Sequence, residues 1–157
     1  MIIAVDPVRS KRELAGAFGS THGIDPTEPD ALDQLRVLTA GRGVEYALEV
    51  VGRPEAMRFA YDATCRGGTI VFVGALDSSI ALSLPANDIH ASSKRIVGTS
   101  YGNSQVRRDV PRLVAMAEAG TLNLELMISE RFKLEEVNKA MSLMAGGEVV
   151  RPVLICQ

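Results

Sequence analysis

Short apolar runs alternate along this chain with stretches whose apolar residues recur at helical spacing. Ile2 to Val5 is an apolar run closed by Asp6-Pro7, which predicts a short buried strand ending in a carboxylate. Ser10 to Glu13 reads as a capping box with Ser10 as N-cap, and Leu14, Ala15 and Phe18 form the helical face that follows, with Gly19 as its stop. His22 to Ile24 predicts a second short strand. Asp30 is placed to cap a second helix bearing Ala31, Leu35 and Leu38. Val44 to Val51 reads as a strand despite its internal Glu45 and Glu49. Pro54 opens a third helix whose face runs Met57, Ala60, Tyr61, Thr64. Gly67-Gly68 turns the chain into the β-branched run Thr69 to Val73. Ala75 to Ser79 reads as a loop, Asn87 to Ser92 as a short helix and Arg95 to Thr99 as a strand. Two further helices carry Val110, Leu113, Val114, Ala117 and Val137, Ala140, Met141, Met144. Val149 to Ile155 is the last strand, placed at an edge or bend by Pro152. Regular alternation of strand and helix predicts an α/β fold with a parallel sheet.

Composition narrows the field. Of 157 residues, 46% are apolar and 23% charged, the balance of a globular domain able to bury a core. A net charge of −2, with no Lys/Arg run beyond two residues, excludes nucleic acid as a partner on bulk electrostatics. No stretch is apolar for long enough to span a bilayer, and the start lacks the features of a secretory signal; a cytoplasmic location and no membrane partner are expected. Cys65 and Cys156 belong to no paired motif and are expected to be buried free thiols.

The candidate chemistry lies at strand ends. A carboxylate after the second strand of a dinucleotide-binding fold accepts hydrogen bonds from ribose hydroxyls and follows a glycine-rich turn by about 20 residues. Only five residues precede Asp6, so that turn has no room here. Local sequence leaves Asp6 open between a ribose ligand and a turn residue. Gly52 and Gly74 each close a strand, where open parallel sheets receive ligands. Either glycine alone reads as an ordinary strand-to-loop transition. Gly41-Arg42-Gly43 precedes a strand, with Tyr46 where a phosphate loop needs its third small residue, and reads as a turn. His22 and His90 lack a second ligand at helical spacing, and no nucleophile accompanies Asp88 and His90. Arg107-Arg108 reads as a solvated helix face, and no motif marks Arg151.

The segments IIAVDPVRSK, FGSTHGIDP, GRGVEYALEVVG, CRGGTIVFVGA, KRIVGTSYG, RRDVPRLVAMAEAG, ISERFKLEEVNKAM and GGEVVRPVL, taken in order, resemble the C-terminal part of a medium-chain zinc-type alcohol dehydrogenase. The resemblance runs through nearly the whole chain. It implies an incomplete Rossmann-type parallel sheet over residues 1–100, lacking its first strand. Residues 101–157 would form a segment belonging to the family's catalytic domain. It implies hydride transfer between an alcohol or aldehyde and NAD. Asp6 would bind the adenosine ribose with Lys11 nearby. Val50 and Val51 would lie beside the adenine and nicotinamide halves. Val73, Gly74 and Ala75 would meet the nicotinamide, Thr99 and Tyr101 its carboxamide end, and Arg151 the pyrophosphate.

The family's zinc ligands, phosphate loop and catalytic domain have no counterpart in these residues, and neither cysteine can replace a zinc site. The resemblance therefore implies no catalytic or metal-binding residue here, weak or absent NAD binding, and no activity by this chain alone. It makes Met1 an internal start, an artefact of gene prediction or a deliberate truncation. The alternative is a non-catalytic nucleotide-binding or dimerisation module, with a homo-oligomer joined through the Ile96 to Ser100 segment. In the strand order 3-2-1-4-5-6 the missing strand is central. Its loss is expected to be met by re-pairing of the neighbours, by dimerisation, or by marginal stability.

Overall fold

The computed structural model describes residues 1–156 and divides into two compact units, Met1–Asn103 and Ser104–Gln157. The first unit holds β1 (Ile3–Val5), α1 (Arg9–Gly16), β2 (His22–Ile24), α2 (Ala31–Leu38), β3 (Val44–Glu49), α3 (Pro54–Ala63), β4 (Thr64–Phe72), α4 (Ala86–Ser92) and β5 (Arg95–Gly98). Each strand is followed by a helix until β5, so each ladder is parallel, as the alternation in sequence requires. The strands form two sheets, β1-β2 and β3-β4-β5, and no ladder joins β1 to β3. Re-pairing across the expected gap does not take place among the described residues.

Two buried clusters hold this unit together. Ile24, Ala31, Leu35 and Ala63 form one, with Ile3, Leu38, Val44 and Phe59 packed against it. Residues of both sheets thus share a core, through the apolar faces of α2 and α3. Ala60, Tyr61 and Ile70 form the other, backed by Ala47, Phe72, Leu84 and Ile89. Paired positions share a face of the sheet, so Ala47 on β3 and Ile70 on β4 lie together over α3. The opposite face carries Leu48, Val71 and Val97 in register. Leu48 there is 66% exposed, whereas Ile70 is fully buried.

The second unit holds α5 (Val106–Glu118), β6 (Glu130–Lys133), α6 (Val137–Ala145) and β7 (Pro152–Ile155), with β6 and β7 in a parallel two-stranded sheet. Phe132 and Ala140 are its buried residues. Pro152 is the first residue of β7, which is a sheet edge, where a missing N–H costs least.

Several boundaries differ from the sequence reading. Helix α1 begins at Arg9, with Val8 as N-cap, so Ser10 lies inside it. Asp6 Oδ1 accepts from Val8 N at 2.7 Å and supplies the oxygen that a capping serine would offer. Helix α3 ends at Ala63. Thr64 already belongs to β4, and its hydroxyl donates to Ala60 O at 2.7 Å. Gly67-Gly68 lies within β4, at a register break: Val44 faces Thr64 but Tyr46 faces Thr69. Strand β6 has no counterpart among the elements read from hydropathy, because Glu130-Arg131-Phe132-Lys133 is mostly polar. Both cysteines are free, but Cys156 is exposed and Cys65 only half-buried.

Candidate functional site

The ends of β3, β4 and β5 form the candidate site. Main-chain bonding runs past each strand end. Val73 N and Gly74 N donate to Glu49 O at 2.8 and 3.1 Å, and Thr99 N donates to Phe72 O at 3.0 Å. Val50-Val51-Gly52 and Val73-Gly74-Ala75 are thereby drawn together, and Thr99 joins them from the neighbouring strand. Gly52 has φ +76°, a conformation that side chains disfavour. A Cβ built on Gly74 would overlap Gly52 N, and one built on Gly52 would overlap Ala75 O. The two loops touch backbone to backbone only because both positions are glycine.

Glu49 organises this end. Its Oε1 accepts from Val51 N and Gly52 N, both at 2.8 Å, and turns the chain just after β3. The residue is 4% exposed, and its Oε2 has no hydrogen-bond partner among the described residues. The hydropathy pattern gave Glu49 no role. The available signal was a carboxylate just before a strand-ending Val-Val-Gly, where alternation places it on the buried face. Thr99 Oγ1 is likewise buried and unpartnered. Around these groups Val50 and Val51 are exposed, and Val73 more than a third so. The arrangement offers an apolar surface bordered by unbonded acceptors at the carboxyl ends of parallel strands, the place where such sheets bind ligands.

Asp6 follows β1. With Oδ1 engaged by Val8 N, Oδ2 accepts no protein hydrogen bond among the described residues. Arg12, a residue without an assigned role in the sequence reading, donates through Nη1 to Asp6 O and lies 3.1 Å from Asp25 Oδ2. Asp25 is held below the usual carboxylate range by Thr27, whose hydroxyl and N–H both donate to it, and then by Arg12. Lys11, half-buried on α1, neighbours this arrangement in sequence. Tyr101 lies in a 3-10 turn (Tyr101–Asn103), with φ +49° and 94% exposure. Arg151 belongs to the second unit, where its N–H donates to Ser129 Oγ at 3.1 Å. His22 and His90 are exposed, His90 in the last turn of α4. Among the described residues no three His, Cys, Asp or Glu side chains gather as a metal site. No helix of these residues is long and apolar enough to cross a membrane.

An α/β unit of parallel strands with a glycine-lined crevice at their carboxyl ends defines a nucleotide-binding type of fold. The chain belongs to the zinc-binding dehydrogenase family, whose model matches residues 1–119. It is 31% identical to the NDMA-dependent alcohol dehydrogenase of Amycolatopsis methanolica, over 98% of this chain and 42% of that protein. It is 32% identical to alcohol dehydrogenase 6 of Peromyscus maniculatus, over 98% of this chain and 41% of that one. Its structure is similar to benzyl alcohol dehydrogenase of Acinetobacter calcoaceticus, with TM-score 0.91, 30% identity, and coverage of 98% of this chain and 42% of that one. An alcohol dehydrogenase zinc-binding domain protein of Burkholderia ambifaria gives TM-score 0.92 at 32% identity, over 100% of this chain and 42% of that one. The chain spans about two-fifths of the length of these relatives.

Proposed function

We infer that this chain is the nucleotide-binding portion of an NAD-dependent zinc-type alcohol dehydrogenase, acting with further polypeptide to move a hydride between an alcohol or aldehyde and the nicotinamide. One observation carries this reading: Gly52 and Gly74 meet at the ends of β3 and β4, beside exposed Val50, Val51 and Val73 and the unbonded hydroxyl of Thr99. A flat apolar ring with a polar amide suits that surface. NAD, when bound, supplies the hydride acceptor. The chain's own part is to bind and orient it.

In this reading Asp6 Oδ2 accepts from the adenosine ribose, and its charge opposes a 2′-phosphate, favouring NAD over NADP. Lys11 borders that ribose. Val50, Val51, Val73, Gly74 and Ala75 border the rings, Thr99 and Tyr101 the carboxamide, and Arg151 the pyrophosphate. Residues 1–100 are the partial dinucleotide domain and 101–157 the segment that goes with the catalytic domain. The described residues do not fit a zinc ion, so no step is assigned to zinc on this chain. Without a glycine-rich phosphate loop at a helix N-terminus, the chain alone binds NAD no more tightly than about 1 mM, roughly 4 kcal/mol.

Titration calorimetry tests this. NAD is expected to bind weakly, NADP more weakly, and Asp6→Ala to erase the difference. Equal binding of both nucleotides by the unaltered chain, or none at concentrations well above millimolar, removes the reading. A second reading, a module that joins copies of itself through β5, is favoured by the exposure of Ile96 and Val97 on that edge strand. Sedimentation velocity separates the two, since only this one requires a dimer.

A further inference from the structure

The two sheets of the first unit leave an acceptor slot. Ile3 of β1 and Val44 of β3 pack on the same buried cluster, yet each strand has one hydrogen-bonded neighbour and no ladder joins them. Packing of α2 against α3, through Leu35 and Ala63, holds the sheets together on one side. The facing edges of β1 and β3 thus present main-chain donors and acceptors that no strand among the described residues pairs. This arrangement superposes on chains more than twice as long with TM-scores of 0.91 and 0.92, so the sheets keep the relation they have inside a longer polypeptide.

We propose that this slot binds an extended, apolar strand supplied by a separate polypeptide, which pairs with β1 on one side and β3 on the other and makes the two sheets one. The chemistry of the occupant follows from the walls. One of its faces meets the cluster around Ile24 and Leu35. The other joins the row of exposed Tyr46, Leu48 and Val50 on β3. Both faces are apolar, so the segment is a continuous run of β-branched residues rather than an alternating one. Its main-chain N–H groups are also donors of the kind that Glu49 Oε2, buried without a partner at the end of β3, requires. A second copy of this chain does not fit. Its β1 and β3 are already backed by β2 and β4, and a strand fixed in a sheet cannot enter a slot flanked on both sides. The outer strands β2 and β5 remain the edges open to self-association. The inference rests on strand pairing and packing alone and stands apart from the nucleotide reading.

The probe is the synthetic hexapeptide Lys-Val-Ile-Val-Val-Lys, with a control methylated on two backbone nitrogens. Amide hydrogen exchange of the intact chain is followed with each. The unmethylated peptide is expected to slow exchange in β1 and β3 at least tenfold and to leave β6 and β7 unchanged, with the methylated control inert. Equal effects of the two peptides would show apolar adhesion rather than strand pairing and overturn the proposal. So would unchanged exchange in β1 and β3 with peptide in large excess. Protection of both strands before peptide is added, together with a dimer by sedimentation, would assign the slot to a second copy and likewise overturn it.

Discussion

Glu49 and Gly52 are joined by a carboxylate that closes the turn after β3: Oε1 accepts Gly52 N at 2.8 Å while it accepts Val51 N at the same distance. Substitution Glu49→Ala leaves both donors without that acceptor and is expected to cost about 1–3 kcal/mol. Glu49→Gln keeps an acceptor oxygen and is expected to lose less than half of that. Urea denaturation of the two variants measures the difference. Equal losses would mean that the charge, not the hydrogen bonding, matters.

Gly74 lies where a Cβ would overlap Gly52 N and Cα. Gly74→Ala has only backbone to displace, since no flexible side chain stands in the way. A loss of about 3 kcal/mol is expected, at the upper end for overpacking. The same substitution at Gly98 meets no atom within 4 Å and is the control. A Gly74→Ala chain as stable as the control would show that the loops do not pack as described.

Tyr61, Asp88 and Lys94 bind α3 to α4 and to the start of β5. Tyr61 Oη donates to Asp88 Oδ2 at 2.6 Å, Lys94 Nζ donates to Tyr61 O at 2.8 Å, and the ammonium lies 4.2 Å from the ring centre. The tyrosine hydroxyl, and then Lys94, hold Asp88 below the usual carboxylate range. Its contribution is therefore fully present above an unfolded-state pKa of about 3.9 and is lost as pH falls through the folded value. Burial, and then Asp88, push Tyr61 up. That contribution is present below about pH 10 and is lost as pH rises through the folded value. Tyr61→Phe is expected to flatten both limbs of the stability–pH curve. Limbs unchanged in the variant would place the titrating groups elsewhere.

Asp25 separates two neighbours by their weight. Thr27 is the main cause of its lowered pKa and Arg12 a lesser one. In carbon-detected NMR titrations, Thr27→Val is expected to raise the Asp25 midpoint more than Arg12→Ala. The reverse order would make the Arg12 ion pair the stronger influence.

Much of this fold is legible in sequence because parallel strands and their helices carry distinct periods. Thr69 to Phe72 is β-branched and buried, and Pro54 marks a helix start, where its missing N–H is harmless. The boundaries failed where tertiary contacts replaced local chemistry. Asp6, three residues before α1, does the work assigned to Ser10. Gly67 and Gly68, read as a turn, lie within β4 because the bulge against β3 absorbs them. At the site, Gly52 and Gly74 were readable as strand-ending glycines, but their contact was not, since only the register of β3 on β4 brings them together. Glu49 was obscured by its charge, which hydropathy assigns to solvent although two backbone donors hold it inside.

The parallel pairing of the strands also governs how quickly the chain finds its structure. No strand pairs through a hairpin with the one next to it. Val44 cannot meet Thr64, nor Ile3 meet His22, until the intervening helix has been laid across the sheet. The first productive contacts are therefore distant along the chain, and the entropy of closing those loops is lost before any ladder compensates it. Refolding is expected to be slow for a chain of this length, with unpaired strand edges exposed meanwhile. Its yield should fall steeply as protein concentration rises.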